Sequence, residues 1–99
     1  MARQKWLVAR TPEELAEILD LTPADMLAIE FQLQLATRIA QEVKRRKLTH
    51  AQVAKLAGTS RSRMTAIING GLTDISTDLL LRVLASLGLR AKVTFSRAA

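Results

Sequence analysis

The sequence predicts an all-α domain of five helices followed by a short C-terminal β-strand. Helix-start chemistry recurs along the chain at Thr11, Thr22, Thr49, Ser60 and Ser76, each a hydroxyl residue able to cap the free N–H groups of a first turn. After these starts, apolar residues fall mostly three and four apart, the period of a helix buried along one stripe. Beyond Gly88 the pattern changes: Ala91, Val93 and Phe95 alternate with Arg90, Lys92 and Thr94, the period of a strand.

The first two starts are alike. Thr11-Pro12-Glu13-Glu14 and Thr22-Pro23-Ala24-Asp25 each combine a threonine cap, a proline in the first turn and an acid three residues after the cap. The first helix should run from about Pro12 to Leu19, and the second from Pro23 towards Arg46. Within the second, Leu27, Ile29, Phe31, Leu33 and Leu35 alternate as in a strand. Helix still wins there, because the segment is rich in Ala, Leu, Gln and Glu and nearly free of β-branched residues. Leu35, Ile39 and Val43 then fall four apart, and Lys44-Arg45-Arg46-Lys47 suits the negative end of the helix dipole. Thr49 starts the third helix, with Val53, Leu56 and Ala57 expected inward and Gly58 as the exit. Ser60 starts the fourth, which Asn69-Gly70 ends, and Ser76 starts the fifth, with Leu80, Val83, Leu84 and Leu87 at core spacing and Gly88 as terminator. A lone strand needs a partner, either Lys5-Trp6-Leu7-Val8 or the tail of a second copy, and the dimer is the favoured choice.

Ninety-nine residues, 48 % of them hydrophobic, make one domain with a single core. Residues 1–22 read as an N-terminal arm and short acidic helix, 23–88 as the helical body, and 89–99 as strand and tail. Cysteine is absent and His50 is the single histidine, so no disulfide, metal centre or cofactor is expected. Three aromatics and no tyrosine argue against a base-stacking platform for single-stranded RNA. With no long apolar run, a soluble cytoplasmic protein without membrane contact is the expectation. No nucleophile–base pair, carboxylate pair or phosphate loop suggests an enzyme; His50 has no catalytic partner in the sequence, and Asp74 and Asp78 read as loop and helix-start charges.

The net charge of +6 is unevenly spread. Thr11 to Glu30 holds six acids and no base, whereas Arg38 to Arg63 holds eight bases against Glu42 alone. Inside the basic block, Val53, Ala54, Gly58, Met64 and Ile67 have the joint spacing of a helix-turn-helix over 49–69: a small residue at the crossing, glycine in the turn, apolar residues on the second helix. On a helical wheel Met64, Ile67 and Ile68 share one face. Ser62, Thr65, Ala66 and Asn69 share the other, and Arg61 and Arg63 flank it. Cations in a first turn oppose the helix dipole unless an external anion is present. A narrow polar face bordered by arginines fits the major groove of duplex DNA, where arginine can hold both acceptors of guanine for roughly 1–3 kcal/mol of discrimination. The basic stretch Lys44–Lys47, with Lys44, Arg46 and Lys47 in mind, then reads either as a solvated helix end or as a phosphate clamp.

The stretch Leu48–Gly70, LTHAQVAKLAGTSRSRMTAIING, resembles the XRE-type helix-turn-helix family of phage Cro and repressor proteins, whose fold is the five-helix, lambda-repressor-like one. With its acidic leader and LGLRAKVTF tail, the chain is also similar to HigA-like antitoxins and related small regulators. That resemblance implies a dimeric DNA-binding regulator, probing an inverted-repeat operator, that represses transcription and can neutralise a RelE/HigB-like toxin. It also implies base contacts from Arg61, Ser62, Thr65 and Ala66, with Arg63 beside them, and phosphate contacts from His50 and Asn69. His50 stands where glutamine is usual, and imidazole can still donate from one nitrogen. The acidic leader reads as a helix packing Leu15, Ile18 and Leu19 on the body, or as a docking surface for a basic partner such as the toxin.

Overall fold

A computed structural model describes residues 11–97 of the chain. Among them are five helices: α1 (Pro12–Ile18), α2 (Pro23–Arg45), α3 (His50–Ala57), α4 (Arg61–Ile68) and α5 (Thr77–Ser86). The hydroxyl residues cap them as the sequence requires. Thr11 Oγ1 accepts from the Glu14 N–H at 3.1 Å, Ser60 Oγ from Arg63 at 3.1 Å and Ser76 Oγ from Leu79 at 3.1 Å. Two starts are reciprocal capping boxes. Thr22 and Asp25 exchange bonds of 2.9 and 3.1 Å, and Thr49 and Gln52 exchange bonds of 2.8 and 3.0 Å. The Thr22 N–H and hydroxyl bonds hold the Asp25 carboxyl below its ordinary value.

The chain divides into two compact units between Phe31 and Gln32. The first contains α1 and the opening of α2. In it Leu15 and Leu19 are about half exposed, at 47 % and 55 %, and Ile18 is half-buried. Leu27 and Ile29 are also exposed, because strand-like alternation on a helix spreads side chains round the cylinder.

The second unit holds the core. Leu35, Ala36, Ile39 and Val43 of α2 are buried, as are Val53, Ala54 and Ala57 of α3, Met64 and Ile67 of α4, and Leu79, Leu80, Val83 and Leu84 of α5. Helix α3 packs against both α4 and α5. Two long-range pins run from α2 and the residue that follows it to opposite ends of α5. Gln32 Nε2 donates to the Ile75 carbonyl at 3.2 Å and to Thr77 Oγ1 at 3.0 Å, and Arg46 Nη1 donates to the Leu87 carbonyl at 2.9 Å. The stretch from Gln32 to Arg46 therefore runs alongside α5 in the same direction. Leu56 corrects one expectation, being 55 % exposed rather than inward. Val53, Ala54 and Ala57 fill an arc of about 100° on the wheel, and Leu56 lies some 60° outside it.

Residues 89–97 carry no regular structure. The alternation of the tail is present, but no strand pairs with it among the described residues, and Phe95 is 94 % exposed. The alternative pairing segment, residues 5–8, lies outside the described residues.

Candidate nucleic-acid interface

The orientation of α4 is fixed locally. Gly58 leaves α3 at φ +71°, while the Thr59 N–H returns to the Ala54 carbonyl at 2.9 Å and the Gly58 N–H to Lys55 at 3.3 Å. These two bonds close α3 as a Schellman motif, and three residues later α4 begins under the Ser60 cap. Ala54, only 4 % exposed, lies in the α3–α4 core with Met64 and Ile67, which are essentially sealed from solvent. With that face sealed, the other has one direction left to point.

Arg61, Ser62 and Arg63 are exposed in the first turn of α4, Asn69 is exposed just after its end, and Thr65 and Ala66 are half-buried between them. No acid lies in that first turn, and among the described residues no ion pair engages Arg61 or Arg63. Two cations thus reinforce the positive end of the helix dipole with nothing protein-borne to offset them. Beside this face, at the start of α3, His50 is half-buried with its Nδ1 2.9 Å from Thr65 Oγ1. The structure thereby joins an expected phosphate contact to an expected base contact.

The basic end of α2 is more differentiated than its sequence suggests. Glu42, 3 % exposed, is the buried charged residue of the described chain. Arg45 donates to it through Nε at 3.3 Å and through Nη2, Arg38 donates at 3.3 Å, and Arg46 lies 3.8 Å away. The Arg45 bonds, chiefly, hold the Glu42 carboxyl below its ordinary value against the opposing effect of burial. Arg46, expected on phosphate, donates one bond to the Leu87 carbonyl and lies 3.8 Å from Glu42, with its side chain 37 % exposed. Lys44 and Lys47 remain exposed, with no side-chain bond among the described residues. Sequence reading passed over Glu42, although arginines four residues before it and three and four after it are a visible i, i±4 signature.

A family model for a helix-turn-helix domain matches residues 18–96. The chain belongs to the helix-turn-helix domain family. No curated protein and no solved structure matches it. The helix-turn-helix family is one of DNA-binding regulators, and the turn of this domain is the three-residue step from α3 to α4. Among the described residues of the domain, no helix is long and apolar enough to cross a membrane.

Proposed function

We propose that this helix-turn-helix protein is a sequence-specific transcriptional repressor of the XRE type, which lays α4 in the major groove and excludes polymerase by occupying the operator. The observation that carries the reading is the pair of unneutralised, exposed arginines, Arg61 and Arg63, on a helix whose opposite face is locked into the core. In this reading Arg61, Ser62, Arg63, Thr65 and Ala66 meet base edges. Lys44, Arg46, Lys47, His50 and Asn69 meet phosphates, and the Arg46 bond to Leu87 also holds the end of α2 in place. The exposed alternation of Val93 and Phe95 suits pairing with a second copy. A two-fold dimer would address an inverted repeat with half-sites about 34 Å apart.

Mobility-shift titrations against duplexes selected from a random pool test the proposal. Arg61→Ala should relax preference at one base pair of each half-site. Lys44→Ala should instead weaken all sequences alike and reduce the salt slope by about one. Two variants that both bind like the parent protein would overturn the footprint.

One observation favours a second role, that of an antitoxin. The first unit carries Glu13, Glu17, Leu15 and Leu19 on exposed positions of a single short helix and its end, an acidic surface with apolar contact area. Such a surface fits a basic protein partner such as a RelE/HigB-like ribonuclease. Co-purification with the product of the neighbouring reading frame, lost on deletion of residues 1–22, is the outcome this role requires.

A further inference from the structure

We infer that His50 dictates which base edge Thr65 can read, acting as a positioning residue through the 2.9 Å contact between its Nδ1 and Thr65 Oγ1. The inference rests on the DNA-binding reading above and deepens it by assigning a specificity to one position.

The chemistry follows from proton counting. A neutral imidazole has one N–H and one bare nitrogen, and a hydroxyl has one hydrogen and two lone pairs. If His50 grips a phosphate it must do so by donating from Nε2, because phosphate oxygen only accepts. Its Nδ1 is then bare and can only accept, so Thr65 donates its hydrogen to His50. What Thr65 presents to the groove is lone pairs alone. In the major groove the complementary partners are amino groups, adenine N6 and cytosine N4; guanine N7 and O6 and thymine O4 are acceptors and would meet like polarity.

Three features of the structure support this coupling. Thr65 shares the wheel face of Ser62 and Asn69, the face of α4 opposite buried Met64 and Ile67, and is itself only half-buried. Among the described residues its hydroxyl makes no other side-chain bond, although a helical threonine commonly turns back to a carbonyl of the preceding turn. Both partners are half-buried, so the contact is partly shielded from competing water.

Selection from a random duplex pool tests the inference with four proteins. The parent should enrich adenine or cytosine over guanine and thymine at one column of each half-site by roughly threefold to tenfold, the worth of one neutral hydrogen bond. Thr65→Val should flatten that column, and Thr65→Ser, which keeps the hydroxyl, should retain it. His50→Lys should also flatten it, because an ammonium group can still donate to phosphate but has no lone pair with which to take the Thr65 hydrogen, so the effect is confined to that column's preference while affinity shifts alike on all sequences. A merely structural role for His50 would lower affinity at every column together. The inference is overturned if the column persists in His50→Lys, or if Thr65→Val flattens a column enriched in guanine or thymine. A parent protein that selects no motif overturns the DNA-binding reading itself, which separates the two failures.

Discussion

Lys47 sits in the left-handed region at φ +54°, at the position where glycine closes the neighbouring helices. Its N–H returns to the Lys44 carbonyl at 3.1 Å and the Leu48 N–H to Val43 at 3.0 Å, the same pair of bonds that Gly58 supports after α3. A side chain there costs about 1 kcal/mol relative to glycine. Lys47→Gly should therefore raise the melting temperature by roughly 5 °C while weakening DNA binding uniformly across sequences, a trade visible by pairing calorimetry with shift titrations. Glu42 makes the opposite kind of contribution. Because Arg45 depresses its folded pKa, the stability it supplies is complete above the ordinary carboxyl value and is lost as pH falls through the depressed one. Urea midpoints should show the parent losing stability on acidification, and Glu42→Gln starting lower at neutral pH with a smaller further loss.

At the scale of elements, α3, its turn and α4 form a unit whose parts are cheap to test. A Cβ added at Gly58 would meet no atom within 4 Å, so the glycine is there for its backbone angle alone. Gly58→Ala should cost about 1 kcal/mol and no more. The neighbouring Thr59 hydroxyl is buried without a hydrogen-bond partner among the described residues, so Thr59→Val should be neutral or stabilising by up to about 1 kcal/mol in denaturant melts. This unit was also the most legible part of the sequence. Caps such as Ser60 on Arg63, and exits such as Gly58, depend on residues within five of one another, where propensity and spacing decide the outcome. The unread features are those that join distant residues. Gln32 reaches Ile75 and Thr77, Arg46 reaches Leu87, and His50 meets Thr65 across the turn; each pairing is created by packing and leaves no periodic trace. Leu56 misleads for a related reason, since a short amphipathic pattern does not specify how wide the buried arc will be.

At the scale of the whole molecule, the acidic and basic halves of the sequence fall largely into different units, with the basic helix-turn-helix inside the second. A second unit with this excess of base predicts association with duplex that weakens steeply with salt. The tail supplies the remaining test: truncation after Leu89, or Phe95→Glu, should shift sedimentation towards the monomer and turn operator binding from steep to shallow in protein concentration. Helix α4, finally, is only eight residues long. At about 1.5 Å per residue it spans some 12 Å, which limits its reading frame to about four base pairs of duplex. Four letters recur by chance about once in 250 positions, and two mirrored sets about once in 65,000, so among roughly a million competing sites a lone subunit faces thousands of equivalent addresses and a pair only about fifteen. In the proposed dimer, doubling would turn this small reader from a coating into an address label.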